Sequence, residues 1–151
     1  MDPWQEEFSM VRACVPAASA LVAVLAFSPP LAAADWMSAI CAAYDGELLS
    51  GSVLVDAVTE FVPSRTSPGT IAGRYAFKDP SGQVAKGTLE DCKPVSELVL
   101  TCQWTDRYGA GPVRFAFFPG LGGFRGAWGA PGEVPRLPWN GTARCRPRPA
   151  S

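Results

Sequence analysis

From Thr70 to Trp128 the chain repeats one pattern, an apolar residue at every second position, interrupted by short turn-forming clusters. In an extended strand, successive side chains point to opposite faces. Tyr75, Phe77, Leu89, Leu98, Leu100, Trp104, Val113, Phe115, Phe117 and Trp128 therefore form one apolar face. Arg74, Lys78, Thr101, Gln103, Arg114 and Arg125 form the opposite, polar one. A chain patterned in this way is confined to antiparallel sheet with one side on a core and one in water.

The turns set the pairing. Asp79-Pro80-Ser81-Gly82 suits a type I turn followed by a left-handed glycine, a three-residue hairpin with a bulge. This predicts Phe77 opposite Ala85, Tyr75 opposite Gly87 and Gly73 opposite Leu89. A turn over Lys93–Ser96 would set Leu89 opposite Leu100 and Gly87 opposite Cys102. One over Arg107–Ala110 would set Trp104 opposite Val113, Cys102 opposite Phe115 and Leu100 opposite Phe117. One over Gly120–Gly123 would set Phe117 opposite Gly126 and Phe115 opposite Trp128. Tyr75 would then cover Gly87, and Phe117 would cover Gly126, as aromatic rings cover strand glycines elsewhere.

Upstream, Asp35 suits the cap of a short helix, Trp36–Tyr44, closed by Gly46. Ser52–Val62 reads as a strand, 64–69 as a loop and Trp139–Arg144 as a final strand. The expected fold is mainly β: an antiparallel meander of six to seven strands, forming a small barrel or curled half-barrel with a short N-terminal helix. It divides into the helix and first strand over 35–69 and the meander over 70–145, together one domain. A disordered tail is expected over 146–151.

Residues 1–34 read as an export signal. No charge occurs from Ala13 to Ala34; Val15–Phe27 is almost wholly apolar, Pro29 and Pro30 break it, and Ala32-Ala33-Ala34 offers a cleavage site. The acidic residues 1–9 have the wrong sign for such a signal, whereas a start at Met10 gives the short basic Met10-Val11-Arg12. The alternative is an uncleaved anchor, the one route to a membrane that the sequence offers. Cleavage would leave Asp35–Ser151 in a periplasmic or secreted setting. The Ala-rich, Arg-over-Lys composition points to a bacterial source.

That mature part keeps Cys41, Cys92, Cys102 and Cys145 and loses Cys14. Four cysteines in an exported chain imply two disulfides. The register above holds Cys92 and Cys102 about five residues apart along neighbouring strands, roughly 16 Å at ~3.3 Å per residue, beyond disulfide reach. Two connectivities remain: Cys41–Cys102 with Cys92–Cys145, or Cys41–Cys92 with Cys102–Cys145.

The sequence has no histidine, which removes His-based catalysis and Cys/His zinc sites. No nucleophile motif or phosphate-cradling loop replaces them, and Asp45-Gly46-Glu47 and Glu90-Asp91 supply too few ligands for Ca²⁺. No cofactor, metal or catalytic residue is therefore assigned. Asp79, Glu90, Asp91 and Asp106 are the carboxylates from which a hydrolase could be built, but each lies in or beside a turn, where acids are common for conformational reasons. Residues 107–151 carry seven Arg against Glu133 alone, spread rather than massed with aromatics, so no nucleic acid is expected as partner. Tyr75, Trp104 and Trp128 are the candidate ligand-binding residues. They either line a cavity or fill the core.

Gly73-Arg-Tyr-Ala-Phe77, Gly87-Thr-Leu89, Cys102-Gln-Trp104 and Phe124-Arg-Gly-Ala-Trp-Gly129 resemble the strands of small secreted meander barrels. Avidin- and lipocalin-type binders and periplasmic barrel inhibitors of proteases or lysozyme share that plan. The resemblance covers about residues 70–145 and concerns architecture, so no site residue is carried over. It implies a non-enzymatic domain that binds a small apolar ligand or an envelope protein. The inhibitor-like form would use the loops Arg107–Gly111 and Gly129–Pro138.

Overall fold

The computed structural model describes residues 36–145. Eight strands run β1 (Ala43–Ser50), β2 (Val53–Pro63), β3 (Ile71–Lys78), β4 (Val84–Ser96), β5 (Val99–Asp106), β6 (Gly109–Phe117), β7 (Gly123–Trp128) and β8 (Leu137–Ala143). Each pairs antiparallel with the next, and β8 returns to β1, so the sheet closes into an up-and-down barrel without free edges. The six to seven strands expected become eight, and the half-barrel alternative falls.

The extra strand is β1, whose first residues were expected in the helix and whose remainder carried no expected element. Within the expected helix only residues 36–38 are helical; Ala39 and Ile40 donate to the carbonyls of Trp36 and Met37, one tight turn, and the chain is extended from Ala43. The expected helix Trp36–Tyr44 is thus absent. Tyr44, Gly46 and Leu48 occupy successive inward positions, and the glycine hid the alternation. A Cβ at Gly46 would run into the backbone carbonyl of Asn140 on β8. The closing seam therefore requires the one residue that erases the strand signal. Asp35, the expected export segment 1–34 and the expected tail 146–151 lie outside the described residues.

The β3–β4 hairpin has the predicted register, with Gly73, Tyr75 and Phe77 opposite Leu89, Gly87 and Ala85. Gly82 is left-handed (φ 81°), and Gly82 N–H donates to Asp79 O at 2.8 Å. The next three pairings differ from expectation. Leu89 stands opposite Trp104, Cys102 opposite Val113, Leu100 opposite Phe115, and Phe117 opposite Phe124. Gly126 accordingly sits beside Phe115 rather than Phe117.

The β5–β6 and β6–β7 shifts follow from their own turns, since Asp106 pairs with Gly109 and Phe117 with Phe124. For β4–β5 the physical cause is in β4. That strand runs past Lys93 to Ser96 and turns at Glu97-Leu98, with Leu98 left-handed (φ 61°) and half-buried. Between the pairs Glu90–Gln103 and Lys93–Thr101, both Asp91 and Cys92 stand opposite the single Cys102, a β-bulge with Asp91 at φ 50°. The bulge brings Cys92 and Cys102 to a Cα separation of 4.1 Å, and they form a disulfide. The second bridge is Cys41–Cys145, with Cα atoms 5.8 Å apart. Both expected connectivities are thus overturned, together with the hairpin register that excluded the sequence-nearest pair.

The barrel has two unlike ends. At one, Tyr44, Phe61, Phe117 and Phe124 pack edge to face with centroids 5.3–6.3 Å apart, and Trp36 lies 5.8 Å from Phe117. Tyr44 Oη accepts the Cys41 N–H and donates to Leu121 O, both at 3.1 Å. The Cys41–Cys145 bridge fastens this closed end. The hairpin turns β1–β2, β3–β4 and β5–β6, and the loop β7–β8, gather at the other.

Candidate functional site

The open end leads into a cavity of about 470 Å³, within the range of small-molecule sites. Tyr75, Trp104 and Trp128, the three residues singled out from the sequence, all line it, with Leu48, Leu49, Phe77 and Trp139. Fully buried residues, among them Phe115, Leu100 and Leu89, fill the barrel beneath. The aromatic stripe therefore does both things that were offered as alternatives: its lower part is core and its upper part is cavity wall.

The walls are held by their polar atoms. Trp104 Nε1–H donates to Gly129 O (2.9 Å), Trp128 Nε1–H to Leu49 O (3.1 Å) and Trp139 Nε1–H to Thr59 Oγ1 (3.0 Å). Each indole spends its only donor on the protein, which fixes ring orientation and leaves apolar surface for contact. Trp104 and Trp128 meet edge to face at 5.3 Å, and Tyr75 and Trp139 at 4.6 Å. Trp139 and Tyr108 were missed from the sequence as cavity residues. Trp139 lies in β8, whose register nothing upstream defined.

Two carboxylates reach the cavity, Asp79 and Asp106; Glu90 and Asp91 are exposed on β4 and take no part in it. Tyr75 Oη–H donates to Asp106 Oδ2 at 2.8 Å, and Tyr108 N–H to Asp106 Oδ1 at 2.7 Å. Burial, reinforced by the Asp106 carboxylate, pushes the Tyr75 phenol above its ordinary range, so it remains a proton donor. Asp79 is saturated. Its Oδ1 accepts from Ser81 Oγ, Ser81 N and Gln83 N, and its Oδ2 from Tyr108 Oη (2.6 Å) and Arg107 Nη2 (2.9 Å). One side chain thus shapes the β3–β4 turn and latches the β5–β6 turn across the mouth.

Those hydrogen bonds, the Ser81 hydroxyl first and then Tyr108, hold the Asp79 carboxyl far below the usual carboxylate range. A depressed pKa contributes stability that is complete above the unfolded value, near 3.9, and is lost as pH falls. Urea midpoints should therefore drop on acidification below about pH 4, and Asp79→Asn should flatten that acid limb while lowering the midpoint at pH 7. An unchanged acid limb in Asp79→Asn would remove this role.

Among the described residues, no group of three or more Cys, Asp or Glu converges as a metal site would. Compared with protein-family models, curated proteins and solved structures, the chain matches none. The class defined by fold and site is therefore a disulfide-bonded, closed eight-stranded barrel with an aromatic cavity at one end.

Proposed function

We propose that the protein is a non-enzymatic, exported binder that takes a small apolar ligand into the open end of the barrel. The observation that carries this reading is the cavity itself, bounded by oriented indole and phenyl rings whose hydrogen-bonding groups are already used. Rings locked before binding lose little entropy on contact, which favours affinity. Asp79, pinned ionised by five donors, is poorly suited to serve as a general acid, which supports a binding role over a carboxylate hydrolase. Two disulfides fit an oxidising compartment and agree with the export segment in the sequence.

A neutral apolar fluorophore such as N-phenyl-1-naphthylamine should bind the disulfide-intact protein one to one. Trp128→Ala and Trp104→Leu should each weaken it about tenfold, or roughly 1.4 kcal/mol. An affinity unaffected by either change would place the ligand elsewhere, and no binding at all would count against the cavity reading. Export has its own test: protein recovered from a bacterial periplasm should begin at Asp35, and a retained residue 1–34 segment would contradict cleavage.

A second reading is favoured by a separate observation. The β5–β6 turn and the β7–β8 loop share the open end, and each exposes a large apolar side chain, Tyr108 at 57% and Val134 at 81%. Exposed apolar groups on neighbouring loops suit contact with an envelope protein, in the manner of an inhibitor. Enrichment of one envelope protein on the wild type, lost with Tyr108→Ser and Val134→Ser, would favour this over the small-ligand role.

A further inference from the structure

We propose that the cavity selects an organic cation, an apolar body bearing an ammonium group, seated with its charge on Asp106. This rests on the small-ligand reading above and names the chemical class within it.

The charges around the mouth are unevenly matched. Arg107 is committed to Asp79 at 2.9 Å and to the Tyr108 hydroxyl at 2.8 Å. Asp106, half-buried at the cavity wall, has only the Tyr75 hydroxyl and the Tyr108 N–H as donors. Neither is charged, and among the described residues no Lys or Arg pairs with Asp106. A carboxylate offers about four acceptor positions, so roughly half of its capacity is open. A charge partly withdrawn from water without a counter-ion is costly, and a ligand cation would offset that cost.

The wall chemistry points the same way. The faces of aromatic rings carry negative potential and attract cations, tryptophan most strongly. Trp104, Trp128, Trp139, Tyr75 and Phe77 surround the space beside Asp106. Their donors face away: the three indole N–H groups go to Gly129, Leu49 and Thr59, and the Tyr75 hydroxyl goes to Asp106 itself. A carboxylate or phosphate ligand would therefore meet the Asp106 charge and rings with no free donor among them. Of the other hydroxyls in the lining, those of Ser81 and Tyr108 already donate to Asp79, which leaves such a ligand the Ser50 side chain. A neutral ligand would fill the cavity but leave Asp106 uncompensated.

Three probes with one body and different heads test this: octylammonium, octanol and octanoate, titrated at pH 7 below their aggregation limits and followed by tryptophan fluorescence. Octylammonium should bind at least about tenfold more tightly than octanol, with octanoate weakest. Asp106→Asn should bring the ammonium-to-alcohol ratio close to one. Tyr75→Phe, which frees Asp106 Oδ2, should keep or raise it, and so tests the proposal even if the asparagine variant does not fold. Octanol binding as tightly as octylammonium, or octanoate binding best, would overturn the cationic class while leaving the apolar-ligand reading intact. A ratio that survives Asp106→Asn, or vanishes in Tyr75→Phe, would overturn the assignment to Asp106. Binding of none of the three would overturn both readings together.

Discussion

Loss of the Cys41–Cys145 bridge is expected to cost about 4.7 kcal/mol, the loop-entropy value for roughly 100 residues, and loss of Cys92–Cys102 less than about 3 kcal/mol. The sequence separations are 104 and 10 residues, and a cross-link restricts the unfolded chain more when it closes a longer loop. Structure adds to the difference. The long bridge joins the segment just before β1 to the residue two beyond β8, so it backs the seam on which closure depends. The short one staples two strands already paired through their ladder and bulge. Urea unfolding of the double variants Cys41→Ala/Cys145→Ala and Cys92→Ala/Cys102→Ala measures both. A larger loss from the short bridge would refute the ordering.

The second large effect is expected at Phe115. Its side chain is fully buried, and its ring lies 4.9 Å from Phe124, 5.4 Å from Phe61 and 5.4 Å from Trp139. It thus joins the aromatic plug of the closed end to the cavity floor. Phe115→Ala should cost about 3–5 kcal/mol through lost burial and the void left behind, and Phe115→Leu clearly less. With domain stabilities near 5–15 kcal/mol, the alanine variant should be marginal. Denaturant midpoints for the two variants decide it, and an alanine cost below about 1 kcal/mol would show that the neighbours collapse into the space.

How the sequence signals fared follows from what each kind of signal can encode. Facing survived: the apolar stripe points inward, because the misplaced pairings slipped by even numbers of residues and left every side chain on its own face. Register survived only where a turn is spelled out locally, at Asp79-Pro80-Ser81-Gly82. The β4–β5 connection instead uses left-handed backbone at Asp91 and Leu98, two residues that give no advance sign of it. That slip then carried into the disulfide argument, since the excluded pair is the one the bulge brings together. The cavity residues Tyr75, Trp104 and Trp128 were legible as a stripe. The mouth was not, because Asp79 and Tyr108 meet across 29 residues of sequence. Acids beside turns looked merely conformational. Asp79 does shape its turn, and it also fastens the neighbouring one.

The two ends of the barrel also divide its uses. Residues 36 and 145 both lie at the fastened end, held close by the Cys41–Cys145 bridge, whereas the cavity opens at the opposite one. A rigid attachment made at residue 36 or 145 would therefore hold the barrel with its mouth facing outward. The rim turns lie at the end away from the aromatic plug. Such a body suits display on an electrode or bead, with its selectivity rewritten at one end and its anchorage left unchanged at the other.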